Sequence, residues 1–228
     1  MKTLYTAVGR FERRAGATGT YPVIVINRKE YMVDIPEMII WTCCNWRILE
    51  SPQIEELYAQ MADGAGVDKN IKCENYVKRL TRRGLIVSGM GETGADALHD
   101  LLSSLYVVPV VSSLFVKTTV FLKFIFINKT PLKKAKTVFR SEKLSGKEKR
   151  VIDLARQTAL STSELIKCIE SEVYDVSSDD KVMEAIYNDN ITTFDNLPYY
   201  AKLFRKQQSV LETVANLYLR KLIIFERN

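Results

Sequence analysis

A mainly helical α+β fold is expected, and three observations carry that expectation. Helix start signals recur along the chain, β-rich runs are short and few, and one helix-to-strand stretch returns in register in the second half. With 228 residues, 46% of them hydrophobic and 26% charged, the chain can bury a core and is neither disordered nor a disulfide scaffold.

Residues 1–20 end in Arg-Arg-Ala-Gly-Ala-Thr-Gly-Thr and read as an arm or a leading strand. Tyr21 to Asp34 holds two β-rich runs around Asn27-Arg28-Lys29-Glu30, which predicts a hairpin. Asp34 and Pro36 open a helix over EMIIWTCCNWRIL, and Ser51-Pro52 opens a second. Asp63-Gly64-Ala65-Gly66 breaks it. A third helix is expected from about Asn70 to Arg83, ended by Gly84, with a short strand over Leu85 to Ser88. In the second half, Ser145/Glu148, Ser161/Glu164 and Ser209/Glu212 each fit a capping box, so three more helices are expected, the last leading into Leu222-Ile-Ile-Phe225.

Sliding the chain on itself by 137 residues aligns Cys73 with Val210, Val77 with Val214, Leu80 with Leu217, Arg83 with Arg220 and Leu85-Ile86-Val87 with Leu222-Ile223-Ile224. Positions 73, 77 and 80 share one helix face, so the matches are those a core selects. The helix-helix-helix-strand order, with NYVKRLTRRGLIVSG at its end, resembles the winged-helix branch of the helix-turn-helix superfamily. The resemblance covers 35–92 well and 145–228 less well, because Lys221 replaces the junction glycine and about thirty extra residues separate the later copy's second and third helices. It implies two winged-helix modules: 21–110 with an N-terminal hairpin, and 144–228 with an insertion at 170–208. A helical basic connector over 111–143 joins them.

On the first copy's third helix, Asn75, Lys78, Arg79 and Arg82 lie opposite Cys73, Tyr76, Val77 and Leu80. In winged-helix proteins this outer face enters the major groove of double-stranded DNA, where Arg or Lys reaches guanine and Asn reaches adenine. Lys69, Lys72 and Arg83 would then suit phosphates; an ordinary solvated helix face is the alternative. The later copy carries Glu212, Ala215, Asn216 and Leu219 there, and Glu170 to Asn196 holds eight acidic residues against Lys181 alone, which implies a different task. The resemblance therefore implies a DNA-binding transcriptional regulator in a prokaryotic cytoplasm; an interaction scaffold that does not bind DNA is the rival reading.

Residues 117–156 hold twelve Lys/Arg, able either to track a DNA backbone or to solvate a connecting helix. Arg10, Arg13 and Arg14 could likewise seek a groove or form a plain basic tail. Apolar residues within 95–127, or the second module, could pair two copies as a homodimer. The N-terminus lacks a signal peptide's apolar region, and the longest uncharged run, Leu101 to Val116, is too short to span a bilayer, so no membrane partner is expected.

Enzymatic readings rank lower. Gly89, Gly91 and Gly94 match G-x-G-x-x-G and could cradle a nucleotide pyrophosphate, but no Asp or Glu occurs from Leu101 through Ser141 to hold a ribose, and no further βαβ unit follows. Lys117 could instead serve a 2′-phosphorylated cofactor. His99, beside Asp100, is the lone histidine; adjacent helical residues point apart and form no dyad. Cys43, Cys44, Cys73 and Cys168 have no C-x-x-C spacing, so neither a metal nor another cofactor is expected.

Overall fold

The computed structural model describes residues 1–16, 19–63, 72–110 and 143–227, and they form an α+β protein. Residues 111–142 of the expected connector, and Lys69, lie outside the described residues. The chain opens with β1 (Lys2–Ala7), β2 (Arg10–Gly16), β3 (Gly19–Ile26) and β4 (Lys29–Met32). Strands β2, β3 and β4 make an antiparallel meander. Asn27 and Arg28 turn its last hairpin with φ of 45° and 65°, the left-handed pair that a two-residue turn of matching twist requires. Arg10 and Arg14 are ion-paired to Glu12, and Arg14 also to Glu30, so these arginines belong to a sheet and not to a free arm.

Three helices follow: α1 (Ile35–Cys44), α2 (Ser51–Ala62) and α3 (Cys73–Arg82). Asp34 caps α1 reciprocally with Glu37, and Gly84 ends α3 at φ 69°. Strand β5 (Ile86–Gly91) then pairs antiparallel with β1, from Ala7 opposite Ile86 to Lys2 opposite Gly91, and Leu49 bridges the other side of β1 at Tyr5. Helix α4 (Gly94–Leu102) leads to β6 (Tyr106–Pro109).

The second unit repeats this plan. Its elements are α5 (Gly146–Gln157), β7 (Leu160–Ser161), α6 (Thr162–Glu170), α7 (Asp179–Tyr187), α8 (Leu197–Ala201), α9 (Gln207–Leu219) and β8 (Ile223–Glu226). Strand β6 lies between β7 and β8, with Val107 opposite both Leu160 and Phe225, just as Tyr5 lies opposite both Leu49 and Ser88. The hydrogen bond from Val8 N to Leu85 O recurs from Val110 N to Leu222 O, and that from Leu85 N to Leu80 O recurs from Leu222 N to Leu217 O. Helices α1, α2 and α3 thus correspond to α5, α6 and α9, while α7 and α8 occupy the expected insertion. Lys221 replaces Gly84 and keeps its left-handed backbone at φ 60°. Glycine adopts that conformation without penalty, so Lys221→Gly is expected to raise stability by about 0.5–1 kcal/mol in urea unfolding.

Three boundaries differ from the sequence reading. Lys2–Ala7, placed in the arm or leading strand, completes the first unit's sheet, whereas Tyr106–Pro109, placed in the first module, belongs to the second sheet. Helix α9 opens at Gln207, so Ser209 and Glu212 sit inside its first turns and form no capping box; Gln208 bonds Glu212 and Lys147 bonds Ser209 instead. The apolar residues Ala97, Leu101 and Leu102 of α4 are buried within the chain and offer no dimer surface, whereas Leu98 is half-buried and Val110 exposed; 111–127 lies outside the described residues. Among the described residues no helix is long and apolar enough to cross a membrane.

One hydrophobic cluster runs through both units. Tyr218 of α9 is its polar hinge: the phenol oxygen accepts from Thr6 Oγ1 and the Trp46 amide, each at 2.9 Å, and donates toward Ala7 O at 3.2 Å. Gly9 N donates to Phe225 O at 2.8 Å, so the β8 end meets the first unit's backbone directly.

Candidate nucleic-acid interface

Helix α3 is strongly amphipathic. Tyr76, Val77 and Leu80 are buried, and Lys72, Asn75, Lys78 and Arg82 are exposed. Arg82 and Asn75 have no side-chain hydrogen-bond or ion-pair partner among the described residues, whereas Lys78 is paired with Glu74 one turn back at 2.6 Å. A shallow pocket of about 260 Å³ lies between this face and the sheet, bordered by Tyr5, Lys78, Arg82 and Ser88.

Arg79 and Arg83 are placed differently from the expected interface. Glu37, only 2% exposed, accepts from Arg79 Nε and Arg83 Nη1, both at 2.7 Å, and from the Asp34 amide at 3.1 Å. Arg79 also pairs with Asp34 and lies 5.5 Å from the centre of the Tyr76 ring; Arg83 reaches Met32 O. Burial alone would raise the Glu37 carboxyl, but the bonds from Arg79 and Arg83 outweigh it and hold it below the ordinary carboxylate value. These two arginines therefore clamp α3 to the start of α1. The second unit repeats the device, with Glu148 in the α5 capping box paired to Arg220. The acidic partners escaped the sequence reading, although the signal was present: Asp34/Glu37 and Ser145/Glu148 are matched capping boxes, as Arg83 and Arg220 are matched arginines.

On α9 the corresponding face is less polar than that of α3. Ala215 is buried, and Glu212, Asn216 and Leu219 are exposed.

The glycine motif is a packing feature. Gly89 and Gly91 lie within β5, in an antiparallel pair, instead of forming a wing turn or a phosphate loop. A Cβ on Gly89 would come to 2.5 Å from Leu101 Cα and 2.6 Å from Ala97 O, both backbone atoms of α4. The glycines thus let a helix flank approach the strand, while Gly94, at the start of α4, has open space around it. The nucleotide reading fails on this geometry. Gly89→Ala is expected to cost about 1–3 kcal/mol by urea unfolding, and Gly94→Ala to change little.

His99 is buried where α4 meets α8 and α9. Its Nε2–H donates to Pro198 O at 2.8 Å, and Nδ1 accepts from Gln207 Nε2 at 3.0 Å, which fixes the neutral ring. Burial lowers its pKa, partly opposed by the bond to Pro198; Lys202 lowers it further, and Asp100 and Asp96 raise it. The unfolded chain therefore takes up the proton first, and stability falls as pH drops below about 6.5, by up to ~1.4 kcal/mol per pH unit until the folded ring titrates. His99→Gln should flatten that slope between pH 7.5 and 5.5, read as the difference between variant and wild-type unfolding curves.

Burial raises the thiol pKa of all four cysteines, with Cys73 and Cys168 pushed up to about 12, so none is poised as a thiolate. Among the described residues no three His, Cys, Asp or Glu side chains stand together as metal ligands. Compared with known proteins, the chain matches no family model, no curated protein and no solved structure.

Proposed function

We propose that the chain is a DNA-binding protein, a transcriptional regulator in a prokaryotic cytoplasm, made of two winged-helix modules in which the leading strand takes the place usually filled by the returning wing strand. The observation that carries this reading is the outer face of α3, where Lys72, Asn75, Lys78 and Arg82 are exposed on a helix held rigidly from behind. Asn75 and Arg82 are the base-reading candidates, and Lys72 and Lys78 supply phosphate contacts. Arg79 and Arg83 act as positioning residues through Glu37.

A salt titration of binding to generic duplex DNA tests the reading. The triple variant Lys72→Ala, Lys78→Ala, Arg82→Ala should bind more weakly and show a flatter log–log salt dependence, by about 0.9 for each phosphate no longer neutralised. An unchanged isotherm favours an interaction scaffold instead. That second reading has its own support: Arg79 and Arg83 are neutralised internally, and β5 pairs with β1 where a projecting hairpin would otherwise stand.

A further inference from the structure

The repeat allows each cavity to be compared with its counterpart in the other unit. In the first unit, the space between α1, α2 and α3 is filled by Ile39, Tyr58 and Tyr76, all buried, with the two rings 6.2 Å apart. The corresponding positions of the second unit hold Arg150, Ile169 and Thr213. Two aromatic rings are thus absent, and a cation stands in place of a branched apolar chain. The result is a cavity of about 610 Å³ between α5, α6 and α9, within the range of small-molecule sites.

The lining is charged in one sense. Lys147, Arg150, Arg205 and Lys206 face it, against Glu172 alone. Neutral groups hold most of these cations: Lys147 Nζ donates to Ser209 Oγ at 2.8 Å, and Lys206 Nζ to Ile169 O at 3.0 Å. Arg150 donates to Val173 O and lies 3.3 Å from the centre of the Tyr174 ring. Lys206 also approaches Glu172 at 3.5 Å, and Arg205 has no ion-pair or hydrogen-bond partner among the described residues. Several other cations of this unit are instead matched by carboxylates: Lys167 by Asp189, Lys181 by Asp175 and Arg220 by Glu148. Four cations round the concavity, against Glu172 in its lining and Glu170 at the Lys206 amide, still leave positive charge for a guest to neutralise. Where α9 opens beside them, Glu170 Oε2 accepts from the Lys206 amide at 2.9 Å, so a carboxylate already meets the helix end and the side-chain cations are what a guest would neutralise. Val151, Ile169 and Val210 give the cavity an apolar floor.

We propose that this cavity in the second unit binds a small organic phosphate, its phosphate among Lys147, Arg150, Arg205 and Lys206 and its organic body on the apolar floor. Several donors around a multiply charged oxyanion suit phosphate better than a single carboxylate. The inference rests on the second unit alone and stands or falls apart from DNA binding by α3.

Calorimetric titration of the full chain with adenosine 5′-monophosphate, pyrophosphate and neutral adenosine tests it. Both anions should bind, the monophosphate more tightly, and adenosine should give no heat. Replacing Arg150 and Arg205 by alanine should weaken anion binding at least about tenfold. Arg205→Ala alone should also weaken it, and this exposed side chain has no partner among the described residues whose loss would unfold the protein. Thr213→Tyr, which restores the first unit's filling residue, should abolish binding while the thermal melt remains cooperative. Absence of heat from both anions at millimolar concentration overturns the proposal, as does equal affinity in the double variant. Displacement of bound monophosphate by duplex DNA, lost in the same variants, assigns the cavity to nucleic acid and overturns it as well.

Discussion

Glu37→Ala is expected to lower the unfolding free energy by about 3–5 kcal/mol, measured in urea at neutral pH. The carboxylate lies under the start of α1 and satisfies three donors, two from α3 and its C-cap residue and one from the α1 N-cap. Its removal leaves Arg79 and Arg83 facing each other without this counter-charge and also deprives the Asp34 amide of its capping partner. Both arginines keep some access to water, with side-chain exposures of 49% and 32%, which places the cost toward the lower end of that range. Glu37→Gln retains an acceptor and should cost less than the alanine variant. Arg83→Ala should destabilise the fold, whereas Arg82→Ala should leave stability within about 0.5 kcal/mol. If Arg83→Ala left the unfolding curve unchanged, the clamp would be wrong. Glu148→Gln in the second unit should cost less than Glu37→Gln, because Glu148 holds one arginine where Glu37 holds two.

The second large effect is expected at Tyr218, where α9 meets the first unit. Tyr218→Ala removes a ring that is 1% exposed and lies 4.4 Å from Phe225, and should cost about 3–5 kcal/mol. Tyr218→Phe isolates the polar part. It keeps the ring but leaves the Trp46 amide and the Thr6 hydroxyl without this acceptor, for about 1–3 kcal/mol. Because these bonds join the units, the variant should also separate one cooperative transition into two, visible as non-coincident curves by fluorescence and circular dichroism. A single transition at wild-type stability in Tyr218→Phe would contradict this role.

Local chemistry explains what the sequence made legible. Asp34, Ser145 and Ser161 each mark a helix start because capping depends on residues within one turn, and Gly84 marks an end for the same reason. The repeat emerged because Val77/Val214, Leu80/Leu217 and Ile86/Ile223 are buried pairs that packing constrains in both units. The β1–β5 and β6–β8 pairings were not legible: Lys-Thr-Leu-Tyr-Thr-Ala has little alternation, and its partner lies beyond three helices. Of the candidate interface, Asn75, Lys78 and Arg82 could be placed from helical periodicity. Arg79 and Arg83 could not be separated from them, because their carboxylates come from a distant helix start. Lys221 shows the limit from the other side, since a non-glycine residue can be held left-handed by its surroundings.

The strand order has a consequence during synthesis. Lys2–Ala7 is made well before Ile86–Gly91, its long partner, and Tyr106–Pro109 waits in the same way for Ile223–Glu226. Until Ile223–Glu226 has been made, Gly9 N and Trp46 Nε1 lack the acceptors that Phe225 O and Ile223 O later supply. A nascent chain arrested near Leu219 would therefore leave Tyr106–Pro109 unsealed on one side, an edge prone to stray pairing and attractive to chaperones.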